Sequence, residues 1–405
     1  MKHLYIPESF CMEKLFPNEI KFRDKYNYVL HKIYEERILN KENKDKQFIN
    51  LKAEYLSNII GRWQYQKVLD NLINANVILT DNHYIPNQKA KGYKLTAEYE
   101  NEKHKSVLLK DKGIYGRIER HKANQFKNNA EVYNFLKDNL FKINIDHGKA
   151  LKFINQNFAE DSHKWNCYKL SIDKIANITN EAFYTVDRSG RFHSNLTNLS
   201  KDLRKFLRYD TKHLVNIDIS NSQPFLFNIL IKKYFENCIF EGKLNNNVFS
   251  LYDCHFKDVK LYENLTSEGI FFEYLMKEMN LVEISRADFK QTVYKNIFYG
   301  KLSENYIYNE MKIFTKLFPT VTNIIKYYKK EDYKYLPVTL QKAESDIMIH
   351  KICNRIYTEK PGLFINTIHD SILTTPDNVK YVSSVILDEF QNEFNLKPKL
   401  KIEQY

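Results

Sequence analysis

Two aspartates stand in sequence settings that suit metal-dependent chemistry. Asp218 lies in the segment 215–219, where apolar and polar residues alternate as in a half-buried strand, so that Asp218 points away from the core. Asp370 follows His369 between two short apolar runs, at the tip of a predicted hairpin. A carboxylate at the open end of a strand is well placed to hold a divalent cation. Strands also end in Asp for turn chemistry alone, so one such residue is a weak signal and the second gives it weight.

A stripe of cations and aromatic rings forms a second candidate site. Arg286, Lys290, Tyr294 and Phe298 are each four residues apart, so they share one drifting face of a predicted helix. The neighbouring stripe is apolar and would seat that helix; it consists of Phe289, Val293 and Ile297. Two cations beside two aromatic rings suit a nucleotide, because cations bind phosphates and rings stack on bases. An ordinary amphipathic surface helix would show the same pattern.

The elements that must position these residues follow from hydrophobic pattern and turn residues. The apolar run after Pro224 predicts a buried helix, and Pro361-Gly362 ends a long helix that begins near Leu340. The remaining expected elements are a short basic helix over 203–209, strands over 363–368 and 372–375, a helix from Pro376 and a closing strand over 399–403.

The N-terminal part has the outline of a winged helix. Helices predicted over 52–60 and 63–75 flank Gly61, and strands over 77–80 and 93–95 bracket a basic loop. Its candidate DNA-contacting residues open the second helix: Arg62, Gln64, Gln66 and Lys67. The same outline would also fit a module that contacts only protein.

Composition limits the class of protein and of partner. The 405 residues are 43% hydrophobic and 28% charged, which describes a globular chain of two or three domains rather than a disordered one. A net charge of +12 favours a polyanionic partner, either nucleic acid or an acidic membrane surface. The five cysteines are scattered without CxxC spacing, which favours reduced thiols over a zinc site. With no apolar stretch of membrane length and no signal-peptide pattern, we expect a cytoplasmic protein without a membrane partner.

From Arg188 to the C-terminus, the motifs taken in order resemble the family A nucleic-acid polymerases, which include bacterial DNA polymerase I and the phage-type single-subunit RNA polymerases. The motifs that carry the resemblance are Gly190-Arg191-Phe192-His193-Ser194 with the segment 195–199, Asp218-Ile219-Ser220, the stripe from Arg286 to Tyr294, the segment 341–347, and His369-Asp370.

The resemblance implies an α+β right-hand polymerase core with an N-terminal winged-helix-like module. The implied segments are 1–100 for that module, 101–185 for a helical thumb-like segment, 186–231 for the first part of the palm, 232–335 for the fingers and 336–405 for the second part of the palm.

The resemblance also implies a role for each site residue. Asp218 and Asp370 would hold two Mg²⁺ ions, while Arg286 and Lys290 would grip the triphosphate, with Lys290 able to protonate the departing pyrophosphate. The other implied contacts are Tyr294 and Phe298 with the incoming nucleotide, Gln223 with its sugar, Arg191 and Gln341 with the primer–template minor groove, and His369 with the primer terminus.

Three departures from the family pattern leave alternatives open. Phe298 stands where the family helix has Tyr, and Tyr299-Gly300 follows one residue later; either Phe298 takes the stacking role or the helix carries a one-residue adjustment. Gln223 replaces the Glu of the DNA enzymes, and Asp370-Ser371 replaces their Asp-Glu, as in the RNA enzymes. The bulk of Gln223 favours deoxynucleotides.

The resemblance therefore implies a compact template-directed DNA polymerase that would use Mg²⁺, a DNA primer–template and nucleoside triphosphates. An RNA polymerase or primase on the same palm is the first alternative, and a non-catalytic DNA-binding replication or regulatory protein is the second. We expect no proofreading exonuclease, because its spaced acidic motifs are missing, and we expect a plasmid, phage or other mobile element as the setting.

Overall fold

The computed structural model describes residues 2–39, 47–86, 88–100, 102–126, 130–160, 162–240, 256–281, 284–301 and 308–405. Cys254 and parts of the predicted fingers segment lie outside the described residues. Among the described residues, Cys11, Cys167, Cys238 and Cys353 form no disulfide. Within the described ranges, no helix combines the length and the apolarity needed to cross a membrane.

The described strands are short. In chain order they are β1 His3–Pro7, β2 Ile49–Asn50, β3 Ile78–Thr80, β4 Gly92–Leu95, β5 His104–Leu108, β6 Ile143–Ile145, β7 Tyr184–Val186, β8 Phe192–Ser194, β9 Leu207–Tyr209, β10 Lys212–His213, β11 Val215–Ile219, β12 Ile365–Ile368, β13 Ser371–Thr374 and β14 Leu400–Gln404.

Helices make up most of the rest. In chain order they are α1 Met12–Leu15, α2 Arg23–Leu39, α3 Ala53–Ile60, α4 Gln64–Asn74, α5 Ala97–Glu100, α6 Lys112–Phe126, α7 Glu131–Leu140, α8 His147–Asn157, α9 His163–Ala176, α10 Ile178–Glu181, α11 Asn195–Asn198, α12 Lys201–Arg204, α13 Ser222–Phe240, α14 Lys257–Ser267, α15 Phe271–Glu278, α16 Arg286–Val293, α17 Asn309–Leu317, α18 Pro319–Lys329, α19 Tyr335–Ser345, α20 Asn354–Glu359 and α21 Val379–Phe394. Two π-helical segments, Tyr294–Tyr299 and Asp346–Cys353, continue α16 and α19.

The chain divides into two compact units. The first comprises residues 1–129, 140–185 and 194–211, and the second comprises 130–139, 186–193 and 212–405. All ten residues assigned to the catalytic site by sequence fall in the second unit. The segments predicted as palm and fingers therefore belong mainly to one unit.

A four-stranded antiparallel sheet forms the base of the second unit, in the order β12-β13-β11-β14. β11 is its central strand, because it pairs with β13 on one side and with β14 on the other. Val215, Ile217 and Ile219 are buried on one face, as the alternation in the sequence predicts. Asn216 and Asp218 therefore share the opposite face, where polar side chains collect.

Buried helices pack around this sheet. α13 begins three residues after β11, and its apolar residues from Phe225 to Ile231 are nearly all inaccessible to solvent, as expected for a core helix. Phe225 packs edge-on against Phe390 of α21, with ring centroids 5.3 Å apart. The central strand and its flanking helices thus form a rigid support for Asp218.

A large apolar core of the first unit runs from Leu4 to Ile118. It contains the predicted sequence of helix, turn, helix and hairpin, with Gly61 at φ +104° between α3 and α4 and a small sheet in the order β2-β4-β3. The left-handed φ explains the glycine at this turn.

The helix predicted over 203–209 is wrong in its second half. The helix α12 ends at Arg204, and Leu207–Tyr209 forms strand β9, which pairs antiparallel with β6. Pairing with a strand distant in sequence overrides the local helical pattern here.

Candidate active site

Sheet register brings Asp218 and Asp370 together. Asp218 lies directly opposite Ser371 across the β11–β13 pair, and Asp370 is the residue before Ser371. Opposite positions in an antiparallel pair lie about 5 Å apart, so the two aspartates stand at one end of adjacent strands. Ser371 Oγ also lies 2.8 Å from Asn216 Oδ1, which fastens the two strands beside the acids.

The electrostatics of Asp218 report the same proximity. Burial and the negative charge of Asp370 raise the pKa of Asp218 to about 7, while Lys290 acts to lower it. Glu403 and Lys401 on β14, which form an ion pair at 2.6 Å, also act on Asp218. The ammonium group of Lys290 therefore lies close enough to Asp218 for its charge to act on that carboxyl.

The tip of the β12–β13 hairpin is tightly turned. His369 has φ +56°, a conformation that a non-glycine residue rarely adopts and that concentrates at functional sites. Its exposed ring lies 6.3 Å from the ring of His193, whose Nε2 is 2.7 Å from Asp187 Oδ2. Sequence reasoning assigned Asp187 no role, and it placed His193 only within the motif 190–194.

Helix α16 presents its cations on an aromatic platform. Ser285 caps its first turn by accepting a hydrogen bond from the Asp288 amide. Arg286 and Lys290 lie over the ring of Phe272, at 5.6 Å and 6.0 Å from its centroid. Arg286 Nε donates to Glu273 Oε1 at 2.5 Å, and its Nη2 donates to Asn221 Oδ1 at 3.3 Å. Because Asn221 is three residues beyond Asp218, this bond holds α16 next to the end of β11.

Phe298 lies in the core of the protein, whereas the sequence assigned it to contact with the incoming nucleotide. Tyr294–Tyr299 is π-helical, so neighbours on its surface are five residues apart instead of four. Phe298 consequently turns into the core and is 0% exposed, while Tyr299 stacks on Tyr294 at 5.3 Å and 10°. The one-residue adjustment that the sequence left open is present as this π-helical turn, which leaves Tyr299 beside Tyr294.

Two residues hold this π-helical turn closed. A Cβ on Gly300 would stand 2.2 Å from the carbonyl oxygen of Lys295, so only glycine fits there without a shift. Lys329 Nζ donates to the carbonyls of Ile297 and Gly300 at 2.7 Å and 2.9 Å, and burial lowers the pKa of Lys329 to about 8. A buried ammonium thus satisfies carbonyls at the end of the turn.

Arg191 does not extend freely from its loop, because it forms a two-pronged ion pair with Glu344. Its Nε and Nη2 donate to Glu344 Oε1 and Oε2 at 2.8 Å and 2.5 Å. Gln223 Nε2 donates to the same Oε2 at 2.6 Å, and Tyr299 Oη donates to Gln223 Oε1 at 3.3 Å. Hydrogen bonds therefore join Arg191, Glu344, Gln223 and Tyr299 in one network.

Sequence reasoning missed Glu344, although a signal was present. The helix α19 and the π-helical segment that continues it carry an apolar stripe at helical spacing, made of Leu340, Ala343 and Ile347. Glu344 stands within that stripe. It is 2% exposed, and burial raises the pKa of Glu344 to about 7 against the opposing effect of Arg191. A charged residue on an apolar stripe predicts a buried partner. Gln341, one turn earlier on α19, is half-buried.

The donor set fits a magnesium ion in kind. Asp218 and Asp370 offer carboxylate oxygens, which Mg²⁺ prefers, and a cation between them would relieve the repulsion that raises the pKa of Asp218. Across the part of the chain that the structure describes, no group of three or more His, Cys, Asp or Glu residues could hold a metal. Mg²⁺ commonly takes one or two carboxylates and completes its shell with water and substrate phosphates.

The predicted DNA-contacting residues of the first unit are partly engaged within the protein. Lys67 Nζ donates to Glu19 at 2.5 Å, and Gln66 donates to Asp70 at 2.8 Å. Arg62 lies 5.9 Å from the ring of Trp63, which is 87% exposed. The helix, turn, helix and hairpin are therefore present, and their partner stays a prediction.

Comparisons with known proteins give limited matches. No protein-family model matches the chain. A DNA ligase of Mycoplasmopsis pulmonis (strain UAB CTIP) is 23% identical over 275 residues, which is 62% of this chain and 39% of the ligase. Among solved structures, the POL domain of Pol1 from M. smegmatis, in complex with DNA primer–template and dNTP, matches with a TM-score of 0.41 at 11% identity. That match covers 64% of this chain and 55% of the POL domain chain. The chain spans about two-fifths of the ligase's length, and neither similarity assigns it to a family.

Proposed function

We propose that this chain catalyses template-directed nucleotidyl transfer, most directly as a compact DNA polymerase without proofreading. The observation that carries the proposal is the convergence of Asp218 and Asp370 on adjacent strands, facing the cationic helix that bears Arg286 and Lys290. Two carboxylates opposite two cations form a site for an anionic substrate bridged by a divalent cation.

In this proposal each group has a defined task. Asp218 and Asp370 would hold Mg²⁺, which when bound would supply Lewis-acid stabilisation of the reacting phosphate oxygens. Arg286 and Lys290 bind the triphosphate, and Lys290 Nζ donates a proton to the departing pyrophosphate. Tyr294, whose phenol pKa is raised chiefly by burial and also by nearby Asp370 and Asp218, lies beside these acids and supports the nucleotide sugar.

The residues proposed to contact nucleic acid differ in how exposed their side chains are. His369 is exposed at the hairpin tip and is proposed to meet the primer terminus. Gln341 remains a candidate for the minor groove. Arg191 could reach a minor groove only by leaving Glu344, so we assign it to the hydrogen-bonded network instead.

Primer extension tests the proposal. Purified protein with Mg²⁺ is expected to extend a DNA primer on a DNA template with dNTPs, and chelation by EDTA is expected to stop it. Parallel reactions with rNTPs and with RNA templates separate a DNA polymerase from an RNA polymerase or primase. Binding of primer–template without extension by any nucleotide class, under any of these conditions, would favour a non-catalytic DNA-binding protein and contradict the proposal.

A further inference from the structure

Glu344 is buried where a carboxylate needs strong partners. It lies on the apolar stripe of α19 and is 2% exposed. A carboxylate removed from water is destabilising unless charged or polar donors satisfy its oxygens. Glu344 receives three such donors: two from the guanidinium of Arg191 and one from the amide of Gln223.

These bonds fix the orientation of the Gln223 side chain. Its Nε2 faces the Glu344 carboxylate at 2.6 Å, so its Oε1 must face the other way, toward the hydroxyl of Tyr299 at 3.3 Å. A flipped amide would place Oε1 against the carboxylate, where two acceptors repel each other. Gln223 is 8% exposed and has little room to adopt another rotamer.

The network leads to the proposed nucleotide position. Tyr299 stacks on Tyr294, and Tyr294 is close enough to Asp218 and Asp370 for their charges to act on its phenol. Hydrogen bonds join the carboxylate of Glu344 to Gln223 and, through Gln223, to Tyr299, and the charge of Asp370 also acts on this carboxylate. It is a positioning residue, since it touches neither the acids nor the reacting atoms.

We propose that Glu344 sets the sugar selectivity of the site, by locking Gln223 and Tyr299 into a wall that leaves no room for a ribose 2′-hydroxyl. This inference rests on the proposed nucleotidyl transfer. A glutamine side chain that is free to rotate would move aside for the extra hydroxyl, whereas one held at both ends of its amide cannot. The substrate class is therefore the deoxynucleoside triphosphate.

The decisive variant is Glu344→Gln, which removes the negative charge and keeps the shape. The ratio of kcat/KM for dNTP to kcat/KM for rNTP is expected to fall about tenfold or more, mainly through a lower KM for rNTP. Glu331→Gln makes the same chemical change at an exposed position and should leave the ratio unchanged. A folded Glu344→Gln protein with the wild-type ratio would overturn the inference.

An exchange of the two side chains separates positioning from simple stability. Gln223→Glu alone places two carboxylates together, so it should also lower the ratio. The double variant Q223E/E344Q restores one amide donor facing one carboxylate, so it should recover most of the wild-type ratio. If Glu344→Gln does not fold, this double variant decides: a folded double variant that has lost selectivity overturns the inference.

The activity of the wild-type protein distinguishes a failure of the proposed function from a failure of the role of Glu344. If it incorporates neither dNTPs nor rNTPs, the proposed function fails, and the sugar-selectivity inference fails with it. If it incorporates nucleotides and the exchanged pair shows no recovery of the ratio, only the role of Glu344 fails.

Discussion

At the scale of single residues, the paired aspartates destabilise the metal-free folded protein when both are ionised. Asp218 is partly withdrawn from water and lies beside Asp370, and its pKa rises to about 7. In an unfolded chain an aspartate titrates near pH 4. The folded state thus holds a proton on Asp218, between about pH 4 and 7, that the unfolded state has lost.

This difference in bound protons determines whether the free energy of unfolding rises or falls with pH. Where the unfolded state binds fewer protons than the folded state, the free energy of unfolding falls as pH rises. In metal-free buffer, Asp218→Asn removes this contribution, so it should raise the melting temperature relative to wild type at pH 8, by several degrees. The difference should shrink toward pH 5.

Thermal unfolding in EDTA at a series of pH values measures this effect. Added Mg²⁺ should stabilise the wild type at pH 8 and have much less effect on Asp218→Asn, because ligand binding to the folded state adds to its stability. If the melting temperatures of wild type and Asp218→Asn differed by the same amount at every pH, the raised pKa of Asp218 would not be the cause of the difference.

Phe298 and Tyr299 provide a second residue-scale prediction. Phe298 is fully buried, so Phe298→Leu should lower the free energy of unfolding by about 1 kcal/mol, with little change in nucleotide KM. Tyr299→Phe removes only the hydroxyl that donates to Gln223, so it should alter dNTP/rNTP discrimination while stability changes little. Steady-state kinetics with thermal unfolding distinguish them, and reversed effects would place Phe298 in the site.

Residue types in the sequence indicated which acids and cations could form a site, but they could not predict the partners of buried charges. Asp218, Asp370, Arg286 and Lys290 carry charges whose chemistry is visible in the sequence. The pairing of Arg191 with Glu344 depends on tertiary packing between segments far apart in the chain, which local pattern cannot reveal.

At the scale of elements, the π-helical turn decides which aromatic ring reaches the site. Regular α-helical spacing predicts that residues four apart share a face, which would place Phe298 beside Tyr294. In the π-helical turn residues five apart share a face, so Tyr299 lies beside Tyr294 and Phe298 is buried. The buried stripe Phe289, Val293 and Ile297 was confirmed, because it depends mostly on the regular part of the helix. Strands β11, β12, β13 and β14 were each located to within two residues, because strong alternation and Pro-Gly boundaries mark them.

Gly300→Ala tests the importance of this turn. The added methyl group would meet the carbonyl oxygen of Lys295, so the turn must shift and Tyr299 must leave Gln223. We expect a loss of about 1–3 kcal/mol in the free energy of unfolding and a raised KM for nucleotide. Gly362→Ala is the matched control, since a Cβ there meets nothing within 4 Å. Equal effects of the two substitutions on both quantities would show that the turn has no special role.

At the scale of the whole molecule, the boundary predicted near residue 100 falls inside a compact unit. Strand β1 pairs with β5 from His3↔Leu108 to Pro7↔His104, and one apolar core includes residues on both sides of the boundary. The sequence placed the boundary at a change in local pattern, whereas the strand pairing joins segments about a hundred residues apart.

Native-state hydrogen exchange on the intact chain tests whether β1 and β5 open together. Backbone N–H groups of each strand that donate to carbonyls of the other should lose protection at the same denaturant concentration, because one opening event exposes both strands. Separate openings of the two strands would support the boundary near residue 100 instead.

The central claim is that Asp218 and Asp370 together drive nucleotide incorporation. The most direct measurement is single-turnover incorporation of a dNTP with Mg²⁺ by wild type, Asp218→Asn, Asp370→Asn and the exposed control Asp388→Asn. The account predicts about a 10³-fold or larger loss of rate for each of the first two variants and a wild-type rate for the control. Folded Asp218→Asn or Asp370→Asn protein that keeps its rate within tenfold of wild type would contradict it.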